Sequence, residues 1–156
     1  MKYKTYLYEP IIGKDEKKFV NDCLNSNWIS SKGDYIAKFE KKFSQYIKIK
    51  HSLTVSNGTA ALHLALLALD LKKSDEVIVP TFTYISPVNA INYIGSRIKF
   101  IDSDLETWQI NIDELKKNIS KRTKAIIVPH LYGQVCNIKK ISEICKKKKI
   151  FLIEDS

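Results

Sequence analysis

Apolar positions follow two rhythms along this chain. Between Lys14 and Asn25 the residues Phe19, Val20, Cys23 and Leu24 recur at helical spacing, and between about Asp34 and Tyr46 Ile36, Phe39, Phe43 and Tyr46 do the same. Each stretch predicts an amphipathic helix with a single apolar stripe. A polar turn, Asn25–Gly33, separates them and carries Trp28. From His51 onward short β-branched runs alternate with helical patterns. Strands are predicted at Ser52–Ser56, Glu76–Pro80, Arg97–Ile101, Lys124–Val128 and Ile150–Glu154, and helices at Thr59–Leu69, Ser86–Ile94, Ile112–Asn118 and Asn137–Lys147. Runs such as Ala125–Val128 and Ile150–Ile153 are apolar without alternation, which requires cover on both faces, as in a parallel sheet clad by helices. The prediction is an α/β domain over 51–156, three-layered with a mostly parallel sheet, preceded by a helical segment over 1–50.

Composition narrows this picture. With 156 residues, 44% of them hydrophobic, the chain has material for one core of ordinary size and reads as a single globular unit. Its longest apolar segments, such as Ala60–Leu71, fall well short of the roughly 20 residues of a bilayer-spanning helix. The opening Met1–Tyr6 lacks the apolar region of a signal peptide, so a cytoplasmic address with no membrane partner is expected. Cys23, Cys136 and Cys145 are odd in number and have no Cys-x-x-Cys spacing, which argues against a disulfide framework and against a zinc site. No metal is expected. A net charge of +9 raises the question of nucleic acid, yet the cations are nearly all lysines spread along the chain, with Arg97 and Arg122 the only arginines. The densest run, Lys146–Lys149, falls where a helix should end and where positive charge complements the helix dipole. No aromatic-rich RNA-binding signature accompanies it.

The stretch Leu53–Leu62 changes the picture most. A β-type run ends in Ser56-Asn57-Gly58-Thr59 and passes into an Ala/Leu-rich helix, a junction whose free N–H groups and positive dipole end suit an anion such as phosphate. Ser56 or Asn57 would serve equally well as an ordinary N-cap. Neither Gly-x-x-x-x-Gly-Lys-Ser/Thr nor Gly-x-Gly-x-x-Gly occurs, which excludes the usual nucleoside-triphosphate and dinucleotide cradles. In parallel α/β sheets ligands collect beyond the carboxyl ends of the strands. There the sequence places Gly58–Ala60, then Thr81-Phe82-Thr83-Tyr84, then Asp102 and Asp104, then His130-Leu131-Tyr132-Gly133, and finally Asp155. A phosphate cup, an aromatic plate and a carboxylate are what a flat, phosphorylated, nitrogen-containing ring requires, and pyridoxal phosphate fits. Asp155 would favour the protonated ring nitrogen by charge attraction. Each residue also has a plainer role: Asp155 as a helix cap or loop acid, Tyr84 as core, His130 as a satisfied polar residue at a sheet edge.

Five motifs carry a resemblance that spans essentially the whole chain: Asn27-Trp28-Ile29-Ser30-Ser31-x-Gly33, Ser56-Asn57-Gly58-Thr59-Ala60-Ala61-Leu62, Asp75-Glu76-Val-Ile-Val-Pro80-Thr81-Phe82-Thr83-Tyr84, His130-Leu131-Tyr132-Gly133 and Ile153-Glu154-Asp155. With them the chain resembles the N-terminal part of the DegT/DnrJ/EryC1/StrS family of pyridoxal-phosphate-dependent nucleotide-sugar aminotransferases, and most of all members that aminate C4 of a dideoxy-keto sugar nucleotide. The resemblance implies a fold-type-I transferase, usually a homodimer, that moves an amino group from glutamate to the sugar. It implies that Thr59 and Ala60 bind the cofactor phosphate through their backbone amides, beside the Gly58 read above as part of the phosphate cup, that Tyr84 stacks on the ring, that Asp155 meets the pyridine nitrogen, and that Trp28, Ile29 and Ser30 border the sugar-nucleotide pocket. The family's Schiff-base lysine would lie beyond Ser156, and Lys146–Lys149 precede the last predicted strand, at its opposite end from Asp155. The family's small C-terminal domain is likewise expected to lie outside these residues. The 156 residues alone are therefore expected to be inactive; the competing expectation is a catalytically dead α/β module that binds a partner or a phosphorylated ligand.

Overall fold

The computed structural model describes residues 9–156; the opening hexapeptide considered above lies outside them. Contacts within the chain divide it into two compact units, one ending at Thr54 and the other running Val55–Ser156, where the composition had suggested a single body. The first unit contains α1 (Lys14–Asn25) and α2 (Asp34–Tyr46), at the bounds the periodicity predicts. Glu16 reaches back to the Gly13 N–H at 2.8 Å and starts α1. The two helices are tied by a hydrogen bond from the Tyr35 hydroxyl to Asp22 (3.0 Å) and by the Phe19 and Tyr35 rings, 5.5 Å apart. Neither helix contains a buried residue.

The predicted strand at Ser52–Ser56 does not form. A strand needs a neighbour for its backbone groups, and here they turn to α2 instead. The Ser52 hydroxyl donates to the Glu40 carbonyl at 2.6 Å, and the Thr54 N–H and hydroxyl both donate to the Glu40 carboxylate, at 2.8 and 2.9 Å.

The second unit continues with α3 (Gly58–Leu67), β1 (Glu76–Pro80), α4 (Ile85–Tyr93), β2 (Arg97–Ile101), α5 (Ile112–Asn118), β3 (Thr123–Pro129), a 3₁₀ turn (Leu131–Gly133), α6 (Ile138–Lys148) and β4 (Phe151–Asp155). The four strands form one parallel sheet in the order β2-β1-β3-β4. Alternation along β1 and β3 sorts their side chains between two cores. Val77, Val79, Ala125 and Ile127 face Leu62 and Leu66 of α3 and Ala90 and Ile91 of α4, while Ile78, Ile126 and Val128 face Leu115 of α5 and Ile141 of α6. Both faces of β1 and β3 are clad, which accounts for the unbroken apolar run Ala125–Val128 and gives three layers, while in β4 Phe151 of the run Ile150–Ile153 is exposed. Among the described residues no helix is long and apolar enough to cross a membrane.

Candidate functional site

Topology locates the crevice. The chain leaves β1 for β2 through α4 on one face and leaves β3 for β4 through α6 on the other, so the connections diverge between the neighbouring carboxyl ends of β1 and β3. Such a switch point is where open α/β sheets bind ligands.

Helix α3 returns to this end of the sheet. Its C-terminus is joined to the start of β1 by residues 68–75, and its ten residues cover about 15 Å, close to the length of a five-residue strand. Its first turn therefore stands at the carboxyl end. Asn57 is the N-cap and accepts the Ala60 N–H at 2.9 Å. That leaves Gly58 and Thr59, rather than Ala60, with N–H groups that have no partner among the described residues. Gly58 needs neither a left-handed backbone nor close packing, since a Cβ built there meets nothing within 4 Å. Its missing side chain leaves open a cradle that a larger residue would fill.

Asp155 closes β4, in register with Pro129. Alternation sets it on the same face as Ile153, which packs against the core that α3 covers. The carboxylate is half-buried and accepts no hydrogen bond among the described residues. Burial pushes its pKa up, and the nearby His130 draws it back. A half-buried acid without a donor suits a cationic partner.

Tyr84 is the N-cap residue of α4 and is 58% exposed, so it is not the core tyrosine of the plainer reading. Phe82 meets Trp108 edge-on at 5.4 Å over a hollow of about 300 Å³ that also touches Tyr132 and Gln134. Trp108 and Tyr132 both have left-handed backbones, with φ of 61° and 53°, strained for bulky residues. The Thr83 hydroxyl is buried without a partner among the described residues. Asp102 and Asp104 are taken up by structure: Asp102 accepts the Ser103 N–H at 2.8 Å and the Thr81 hydroxyl at 3.3 Å, and Asp104 accepts the Thr107 N–H at 2.9 Å.

In the first unit Trp28, Ile29 and Ser30 are exposed in the turn after α1. Gly33, at φ 148°, closes this turn, and a Cβ there would lie 3.4 Å from that of Trp28. Trp28, Ser30, Asp22 and Tyr35 line a hollow of about 450 Å³. Among the described residues no three His, Cys, Asp or Glu side chains are grouped to hold a metal.

Sequence reasoning missed a polar chain across the strand ends. The His130 ring lies 3.2 Å from the Glu154 carboxylate and accepts the Cys136 N–H at 3.2 Å, and the Cys136 thiol donates to Gln109 at 2.7 Å. Their separations in sequence, 24 and 27 residues for the outer pairs, leave no local signal. Only the position of His130 after a predicted strand hinted at them.

A model described as the DegT/DnrJ/EryC1/StrS aminotransferase family matches residues 10–156. The chain is 52% identical over 155 residues to a GDP-perosamine synthase of Escherichia coli O157:H7, covering 99% of this chain and 42% of that one. It is 46% identical over 149 residues to the GDP-perosamine synthase of Vibrio cholerae, with 96% and 41% covered. Among solved structures, a putative sugar aminotransferase from Streptococcus pneumoniae in its PMP form superposes with a TM-score of 0.91 at 29% identity, covering 99% of this chain and 42% of that one. An E. coli GDP-4-keto-6-deoxy-D-mannose-3-dehydratase with bound hydrated PLP superposes at 0.88 and 31%, with 96% and 40% covered. The chain thus spans about two fifths of the length of the curated relatives it matches.

Proposed function

Because this chain belongs to the DegT/DnrJ/EryC1/StrS aminotransferase family, we propose that it forms the N-terminal part of a pyridoxal-phosphate enzyme that carries an amino group from glutamate to a keto-deoxy-sugar nucleotide, a step of amino-sugar and polysaccharide biosynthesis. The observation that carries this reading is an open anion cradle at Gly58 and, at Asp155, a half-buried carboxylate with no hydrogen-bond donor among the described residues, both at the carboxyl end of one sheet. Bound there, the cofactor supplies an aldehyde carbon that takes up and passes on an amino group, and a ring that withdraws electrons.

The chain's own groups do the rest. Gly58 and Thr59 offer backbone N–H donors to the phosphate, with the positive end of α3 behind them. Ala60 contributes to the same turn through its small side chain, its N–H being held by Asn57. Asp155 holds a proton at the ring nitrogen, since a cation beside it opposes the upward push of burial on its carboxyl. Tyr84 lies against the ring face. Trp28, Ile29 and Ser30 are assigned to the sugar-nucleotide pocket from the resemblance alone. The relatives' names point to a GDP-linked sugar, and the resemblance points to amination at C4. We assign the cofactor-attaching lysine to the part of the family's length outside residues 1–156, so that these residues alone do not turn over. A homodimer working in the cytoplasm completes the reading.

The test uses the full-length gene product loaded with pyridoxal phosphate. Glutamate is expected to change the absorbance of the bound cofactor, and a keto-sugar nucleotide added afterwards is expected to gain an amino group, detected by mass spectrometry. Failure to take up the cofactor, or a cofactor spectrum indifferent to glutamate, overturns the proposal.

A further inference from the structure

His130 stands where the carboxyl ends of β3 and β4 meet. Its backbone N–H donates to the Asp155 carbonyl at 2.8 Å. Its ring Nε2 lies 3.2 Å from the Glu154 carboxylate, and its Nδ1 accepts the Cys136 N–H at 3.2 Å. Only one form of the ring satisfies both contacts. Nδ1 must be unprotonated to accept, so Nε2 carries the hydrogen and donates to Glu154. The ring is also held by its surroundings, its side chain being 8% exposed against 47% for Glu154. Cys136 is fixed in turn: it is buried, and its thiol donates to Gln109 at 2.7 Å, with the Pro129 carbonyl at 3.3 Å as a second acceptor. The chain of contacts thus runs from the loop after β2, through the loop after β3, to the last two residues of β4.

The last of these residues is the acid assigned above to the cofactor. Asp155 is the last residue of β4, which among the described residues pairs with β3, and the end of a strand frays unless it is tied down. We infer that His130 is a positioning residue that fixes the end of β4, and with it the Asp155 carboxylate, by bridging Glu154 to the Cys136 loop through a neutral Nε2–H imidazole. The inference rests on the reading of Asp155 as the acid at the cofactor's ring nitrogen. His130 itself is turned to Glu154 and Cys136, so it acts through Asp155 and does not touch the cofactor.

Two substitutions separate the two arms of the bridge. In His130→Gln the side-chain amide reaches as far as Nε2 and keeps a donor for Glu154; in His130→Asn the shorter amide keeps an acceptor for Cys136 and loses Glu154. In the full-length protein without cofactor, ring ¹⁵N shifts should report the Nε2–H tautomer for His130, and an Nδ1–H tautomer overturns the inference. In equilibrium binding of pyridoxal phosphate, His130→Asn should lose about tenfold or more in affinity, the scale on which a slightly displaced site group acts. His130→Gln should retain most of it. The pH midpoint of the bound cofactor's absorbance should shift in His130→Asn, a change that a purely structural role, visible only in Tm, would not produce. Equal cofactor affinity and an unshifted midpoint in both variants overturn the inference and leave the proposed function standing. A wild-type protein that takes up no cofactor overturns the proposed function, and this inference with it.

Discussion

At the residue scale Gly58 and Asp155 show function set against stability. Gly58 sits in the first turn of α3 with open space before it, so alanine would fit and would stabilise the helix by up to about 1 kcal/mol. That the position is glycine is explained by the cradle. Gly58→Val is expected to weaken pyridoxal phosphate binding to the full-length protein while leaving the far-UV circular dichroism nearly intact; unchanged affinity would remove the phosphate from this turn. For Asp155 the sign follows from its raised pKa. A carboxyl that holds its proton more tightly in the folded chain stabilises it below the ordinary carboxylate range, and that contribution is lost as pH rises through the elevated value. In the cofactor-free protein Asp155→Asn should therefore raise Tm at neutral pH and make no difference in acid, while abolishing the glutamate-driven change in the loaded protein. Melting curves at the two pH values check the first half, and a lower Tm at neutral pH contradicts it.

At the scale of elements, what was legible is what local chemistry decides. Helices α1, α2 and α5 and strands β1 and β2 have the bounds their periodicity predicts, because an apolar stripe and flanking turn residues suffice to define them. The segment Ser52–Ser56 has the composition of a strand, but a strand exists only with a partner, and no local pattern reveals that Glu40 takes the polar groups of Ser52 and Thr54 instead. The left-handed Tyr132 and the bridge from His130 to Glu154 were hidden for the same reason. The positions of Gly58 and Asp155 could be read because strand ends and helix starts are local features, whereas the groups that hold Asp155 in place are not. The tie to α2 can be tested. Two bonds from Thr54, led by its backbone N–H, draw the Glu40 carboxyl below its usual range, so the tie holds at neutral pH and is lost as pH falls through that lowered value. Glu40→Ala should speed hydrogen exchange at the Thr54 amide at neutral pH and leave the amides of β1 and β3 unaffected. Unchanged exchange at Thr54 would show that the segment is held by something else.

At the scale of the whole molecule, charge and apolar surface act against each other. Large apolar side chains stand exposed on α1 and α2, where Val20, Leu24 and Phe39 are each more than half exposed, and on the edge strands, where Phe100 of β2 is 49% and Phe151 of β4 is 55% exposed. Surface of this kind drives association when it is contiguous. The net charge of +9 opposes it by repulsion between copies. Which prevails depends on salt, since the screening length falls from about 30 Å at 0.01 M to about 3 Å at 1 M ionic strength while apolar attraction is not screened. The 156-residue polypeptide is therefore expected to stay dispersed at low salt and to self-associate as salt rises, with a parallel gain in the fluorescence of a dye that binds apolar surface. Light scattering across a salt series measures this directly. Association that weakens with salt would instead mark pairing of opposite charges, and would mean that the exposed apolar side chains are too scattered to form a sticking surface.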